Sequence, residues 1–541
     1  MCPPFLRRAA AAALAAVLLL VPAACRGTSA KNADKTIAYH LDAEPETLDP
    51  QIAADAPAAT AVQALFEGLV RLGADEQPRP GVAESWKPNG DSTGFTFTLR
   101  ADAKWSDGTP VTAADFVFAF RRALDPSTGS STCSQMFCIR NARAVHSGSL
   151  PPKELGVSAD DSRTLSVELE YPVPEFPKLT AAAVYMPCNE KFFDSTQGRY
   201  GLDRDYLLGN GPFEIDGRYG WEHGQYLNLR RSSAYKGQNA PLPAAVNFSI
   251  GGKAADYADP VAALTSGKTD AAAVPFSRTD EARAAGCTLA SFEDTTWGLC
   301  FNVQSPLFKN QKVRQAFLQA FSRKSVLSHL PKNASAAESI VLPSAEIDGK
   351  SYRAMAGGPF YLKQSPGAAQ ILAQGLQKLN LKLKDLSAVT VLCTDDASVK
   401  LMMNEMIAAW NGQFQNYFNM EPLSSEKLAG RIKSGNFSAA LCPLTPSGGP
   451  FSAFAQFCSG AAGNPAKLAD PAYDALVASA QQKSGAAAAA AYAEAEKYLG
   501  QRAVFYPLFY EKHYFACAKG VTGVVFHPYL GGVDFIRAGK E

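Results

Sequence analysis

Histidine is scarce in this chain, 6 in 541 residues, and charged residues make up only 19%. The six, at positions 40, 146, 223, 329, 513 and 527, have no ligand spacing, and no cysteine pair reads C-x-x-C, so a metal centre is not expected. Neither sign of charge is in excess: 52 basic residues stand against 51 acidic ones, for a formal net charge of +1. The basic residues are dispersed rather than striped, which removes the electrostatic attraction that nucleic-acid binders depend on. A phosphate loop G-x-x-x-x-G-K-[ST] and an H-E-x-x-H helix are both missing. Adjacent acids such as Asp160 with Asp161 and Asp395 with Asp396 lie in polar stretches and read as solvated turns. No enzyme chemistry and no cofactor are therefore expected. Beyond the first segment no apolar run reaches the roughly 20 residues of a spanning helix. What is present is 47% hydrophobic and 10% aromatic residues, enough to offset ordering entropy by burial, in a length that suits several domain-sized lobes.

The opening segment accounts for part of the apolar fraction. Arg7 and Arg8 precede an Ala/Leu/Val run from Ala9 to Leu20, and Val21, Pro22, Ala23, Ala24 and Cys25 follow. This is the pattern of a secretory signal over 1–24. The Ala-Ala-Cys junction reads as a bacterial lipobox with Cys25 as the lipidated N-terminus, and 25–35 as a small polar tether. The alternative is an ordinary secretory signal. With Cys2 and Cys25 set aside, nine cysteines remain, among which Cys133 and Cys138 are close enough in sequence for a local disulfide. The others read as buried free thiols.

From Lys35 onward the pattern is mixed α and β. Phe95, Phe97 and Leu99 alternate with polar residues as one face of a half-buried strand. Thr112 with Asp115 is a capping-box variant that opens a helix through Phe116, Val117, Phe120 and Leu124, closed by Asp125 and Pro126. Val389–Leu392 reads as a strand, and Ser398 as the cap of a helix carrying Leu401, Met402, Met406 and Trp410. The Ala-rich run from Gly485 to Leu499, with Glu494, Glu496 and Lys497, reads as a solvated helix. Loops are expected near Ala356–Pro359 and Ser447–Pro450.

Thr96 to Arg122, TFTLRADAKWSDGTPVTAADFVFAFRR, closely resembles the signature of the extracellular solute-binding proteins of oligopeptide and dipeptide ABC importers, the bacterial solute-binding family 5. Other segments match in order: Leu48-Asp49-Pro50, Phe66-Glu67-Gly68-Leu69, Gly81 to Trp86, and the turn Gly209-Asn210-Gly211-Pro212-Phe213. Gly298, Leu299, Phe301 and Asn302 precede Val313-Arg314-Gln315-Ala316, and Tyr506-Pro507-Leu508 fits near the C-terminus. In their own right Trp86 and Trp105 read as core fillers and Gly108 and Gly211 as turn residues. The resemblance implies an α/β, type II periplasmic-binding-protein-like fold of three hinge-connected lobes. By analogy 36–75, 201–297 and 512–541 form lobe I, 76–200 lobe II and 298–511 lobe III.

The resemblance also implies a lipid-anchored monomer on the outer face of a bacterial membrane. It would capture peptides or peptide-like solutes between two lobes and deliver them to an ABC permease and ATPase complex. A surface sensor or interaction protein without a transport partner is the other reading. Candidate ligand contacts are Asn210, Trp297, Ser425, Thr445, Ser447 and Gly448. Family members often hold the peptide ammonium with an aspartate late in lobe III. The corresponding stretch here, Ala440 to Phe451, has no acid, and Ala53 and Ala54 follow the early LDP. The expectation is a cleft poorer in charge than that of a receptor for free amino termini.

Overall fold

The computed structural model describes residues 35–541 except 239, 252–253, 447–450, 462 and 528–531. The signal segment, Cys25, Ser447 and Gly448 thus lie outside the described residues. The fold is mixed α/β. Strands Asn419–Leu423, Thr390–Thr394, Ala439–Leu444, Thr288–Phe301, Phe505–Cys517, Ala271–Ala273, Thr36–Leu41, Ala245–Ile250, Tyr226–Arg231 and Phe213–Ile215 lie side by side in that order, in one large mixed sheet. A smaller antiparallel sheet takes Ala83–Pro88, Gly94–Leu99, Thr164–Glu168 and Val157–Ala159 in spatial order.

The alternating strand and the capped helix form as their sequences dictate. Phe95, Phe97 and Leu99 are buried on one face of Gly94–Leu99. At the start of the helix Ala113–Leu124 the backbone N–H and the hydroxyl of Thr112 both donate to Asp115 Oδ2, at 2.7 and 3.0 Å. This satisfies an otherwise orphaned donor. Gly90 to Gly94 spells G-x-S-x-G, but it forms the turn between the antiparallel strands Ala83–Pro88 and Gly94–Leu99. A nucleophile elbow needs a strand-to-helix turn, so this spelling carries no catalytic serine.

Several expectations change in detail. The helix Ala397–Phe414 is capped by Asp396, whose carboxylate accepts from the Val399 N–H at 2.9 Å, so Ser398 lies inside the first turn. Met402, Met406 and Trp410 are buried there while Leu401 faces out. Glu496, read as solvated, is 4% exposed and accepts from Arg353 and the Tyr352 hydroxyl at 2.6 and 3.0 Å. Trp105 is fully buried, whereas Trp86 packs half-exposed against the core. Cys133 and Cys138 are separate thiols, because their side chains turn to different partners, His146 for the first and the Tyr185 hydroxyl for the second. Burial pushes the Cys138 thiol up to about 12, so it is held as the neutral, unreactive form.

Buried apolar residues fall into several clusters. One hydrophobic core runs through residues from Ile37 to Ile250 and includes Val533 to Ala538, so 36–75 and 76–200 share it. Between Leu299 and Phe509 two further clusters, one around Phe317 and Trp410 and the other around Phe454 and Tyr473, contain residues of the sheet's C-terminal half.

Candidate functional site

Strand direction locates the site. Thr36–Leu41 runs parallel to Ala245–Ile250 and to Ala271–Ala273, and Ala273 pairs with Phe515 on the return strand. Their carboxyl ends, Leu41, Ile250 and Ala273, therefore point toward the middle of the two long strands. On the other side Ala439–Leu444 runs antiparallel to Thr288–Phe301, Leu444 pairing with Thr296, and parallel to Thr390–Thr394, which is parallel to Asn419–Leu423. Thr394, Leu423 and Leu444 thus point back at the same middle. Two sets of strand ends face one another across a gap, and in open α/β sheets ligands bind outside the carboxyl ends of strands.

The floor of that gap is the crossing of the two long strands, where Phe292–Trp297 and Phe509–His513 pair with each other. The pairing slips at Glu293/Thr295 and at Trp297/Gly298, so each strand carries an extra residue within the crossing. The crossing is rich in polar groups. Trp297 Nε1 donates to Glu511 Oε2 at 2.6 Å, and the indole stacks on Phe509 at 6.1 Å. His513 Nδ1 lies 2.7 Å from Asp294 Oδ1, and Ser335 donates to Glu293 at 2.7 Å. The hydrogen bond from His513 to Asp294 holds the imidazole pKa above its ordinary value against the opposing effect of burial. At the opposite strand ends His40 stacks flat on Tyr257, with ring centroids 3.8 Å apart.

Two of the expected contacts meet at this crossing: Thr445 Oγ1 lies 3.2 Å from Thr295 Oγ1, on the strand that carries Trp297 two residues on. Ser425 is exposed at the start of the helix Ser425–Ser434, at the end of the outermost strand and so at the far edge of the gap. Asn210 is elsewhere. It is 2% exposed, accepts from the Glu67 N–H at 3.0 Å and donates to the Glu67 carbonyl at 2.9 Å. Its side chain is committed to joining the Gly-Asn-Gly turn to the Phe-Glu-Gly-Leu segment. A Cβ on Gly211 would come 2.5 Å from the Leu65 and Phe66 backbone, which is why glycine flanks that clamp.

Sequence reasoning missed Glu293, Asp294, Glu511 and His513. They put three carboxylates and a histidine on the crossing, with Glu511 held by Trp297 and Asp294 by His513. The signal was available as acids set among aromatics in two long strands, Phe292-Glu293-Asp294 and Tyr510-Glu511-Lys512-His513-Tyr514.

The profile of the bacterial extracellular solute-binding proteins, family 5 (middle region), matches residues 77–465. The chain belongs to this family. Among curated relatives, the dipeptide-binding protein DppE of Bacillus subtilis is 27% identical over 515 residues, covering 94% of this chain and 93% of that one. The periplasmic murein peptide-binding protein MppA of Escherichia coli is 40% identical over a shorter stretch, 33% of each chain. Among solved structures, the substrate-binding domain of an oligopeptide ABC transporter from Bacillus anthracis superposes with a TM-score of 0.73 at 26% identity, over 94% of this chain and 99% of that one. Haemophilus influenzae OppA in complex with the peptide RPPGFSPFR has the same fold, with a TM-score of 0.73 at 23% identity, covering 93% of this chain and 99% of that one. Among the described residues no helix is long and apolar enough to cross a membrane.

Proposed function

We propose that the gap over the crossing strands encloses a peptide or peptide-like solute and that the protein, anchored outside the cell membrane through a lipid on Cys25, hands this ligand to an ABC permease complex. The observation that supports the reading most is the opposition of two sets of parallel strand ends across a two-strand crossing. Such a crossing can bend as a hinge while each side stays rigid. The ligand is held by main-chain hydrogen bonds and burial, with Trp297 and Thr445 as side-chain contacts. The 36–75, 201–297 and 512–541 segments form one wall and 298–511 the other, with 76–200 packed on the first.

Trp297 is placed to bind twice over, since its ring offers a face to the ligand and its N–H keeps Glu511 oriented. Replacing it with alanine lowers peptide affinity by about tenfold or more, read by calorimetry, with little change in melting temperature. Native mass spectrometry of freshly purified protein tests the ligand class: the proposal expects bound masses that fragment as peptides. A non-peptide ligand at full occupancy would refute it.

A further inference from the structure

A second cavity lies away from the gap, on the outward side of the helix Ala113–Leu124. Its volume is about 600 Å³, and its lining includes Phe118, Arg121, Arg122, Phe193, Asp194 and Tyr200. The volume suits a molecule of two or three amino-acid units rather than an ion.

The charges around it divide into the ion pair of Arg122 with Asp49 and those with no ion-pair partner among the described residues. Arg122 is spent: its two terminal nitrogens hold both oxygens of Asp49, at 2.7 and 2.5 Å, and Gln51 as well. Asp125, also on the wall, accepts from the N–H and hydroxyl of Ser127 at 2.8 and 2.6 Å on one oxygen and keeps its charge, with no ion pair among the described residues. Arg121 is different. Its one side-chain hydrogen bond among the described residues is at 3.4 Å to the Lys153 carbonyl, no carboxylate is within ion-pair distance there, and its Nε, like that of Arg122, is buried without a partner. Asp194 is exposed at the rim with no side-chain hydrogen bond or ion pair among the described residues. Tyr200 is 4% exposed, and its hydroxyl lacks a hydrogen-bond partner.

One cation without an ion pair, Arg121, and two such carboxylates, Asp194 and Asp125, therefore remain beside an aromatic wall. Phe118 and Phe193 meet edge to face at 5.6 Å, and Phe193 meets Tyr200 in the same way at 5.6 Å. A simple anion would satisfy Arg121 and be repelled by Asp194, and a simple cation the reverse. A molecule that carries both charges and an apolar body satisfies all three features.

We propose that this cavity is a second binding site, separate from the gap, for a small apolar zwitterion of the dipeptide class, with its carboxylate on Arg121, its ammonium on Asp194 and its side chains against Phe118 and Phe193. The site works without closure of the gap, because its walls belong to elements that share one core.

Amide hydrogen exchange of the intact protein with the dipeptide Leu-Phe tests this, because it reads 113–124 and 189–202 separately from the gap. The expected result is slowed exchange at 189–202. Arg121→Gln and Asp194→Asn should each raise the Leu-Phe concentration needed by about tenfold while leaving protection around Trp297 unchanged. Acetyl-Leu-Phe and Leu-Phe amide should each protect less than the free dipeptide. No slowing at 189–202, slowing that survives both substitutions, or equal protection by the capped peptides would each overturn the assignment.

Discussion

Glu67 is fully buried and bears the charge that ties three segments together. Arg100 Nη2 donates to one of its oxygens at 2.9 Å and the Tyr235 hydroxyl to the other at 2.5 Å. Removing Glu67 leaves the buried Arg100 with Asp102, at 2.9 Å, as its one ion-pair partner among the described residues, so Glu67→Ala lowers unfolding free energy by about 3 kcal/mol in denaturant titration. Combining it with Arg100→Met recovers part of that loss. Asn210→Ala strips the partners from the Glu67 backbone N–H and C=O, and costs about 1–3 kcal/mol of stability with peptide affinity unchanged. Arg314 shows another way to hold a buried cation. Burial, with Arg502 nearby, pushes its pKa down to about 10, and the carbonyls of Phe308, Arg502 and Ala503 accept its protons. Family motifs in the sequence marked Glu67, Arg100, Asn210 and Arg314 but neither Tyr235 nor Arg502, and the roles were not legible. A motif names which residues are fixed, whereas the partner that explains Asn210 lies 143 positions away.

Among the elements, the two long strands carry both architecture and chemistry. Their crossing holds His513 against Asp294, and the raised pKa has a stability consequence. A base whose folded pKa exceeds its unfolded value near 6.5 contributes stability in full below that value and loses it as pH rises through the folded value. His513→Gln is therefore expected to lower the melting temperature more at about pH 5.5 than at about pH 9, where both proteins carry an uncharged side chain. Local patterns of this kind were readable where they were self-contained. The alternation of Gly94–Leu99 and the box of Thr112 with Asp115 needed only neighbours in sequence. The cap of Ala397–Phe414 was misread by two residues, because Asp396 and Ser398 are both good caps and only the backbone path chooses between them. A ligand between two lobes was expected from the resemblance alone, whereas the strand directions that frame the gap were not legible, since they bring together segments more than 200 residues apart, as in the pairing of Thr288 with Cys517.

At the scale of the whole molecule, titratable groups of 76–200 and of 298–511 come close enough to shift one another beyond the crossing. The Tyr171 phenol is raised by burial, then by Cys138, then by Tyr492 from the opposite side. Cys458 is likewise pushed up to about 12, by burial and Asp474, with Arg143 of the other side opposing. Groups of 76–200 and of 298–511 thus feel one another's charge at this place. Truncating Tyr171 and Tyr492 together to alanine should increase the radius of gyration of the ligand-free protein in small-angle scattering and speed peptide release. Unchanged scattering would mean that these groups do not set the degree of opening.

The central claim is that one ligand is held between two sets of opposed strand ends. Amide hydrogen exchange of the mature protein, with and without a saturating copurified or library-selected peptide, addresses it most directly. The account predicts simultaneous slowing on both sides, at residues 42–55 and 251–259 on one and at 395–396, 424–425 and Thr445 on the other, together with the crossing at 292–297 and 509–513. Slowing confined to one side, or absent from the crossing, would contradict it.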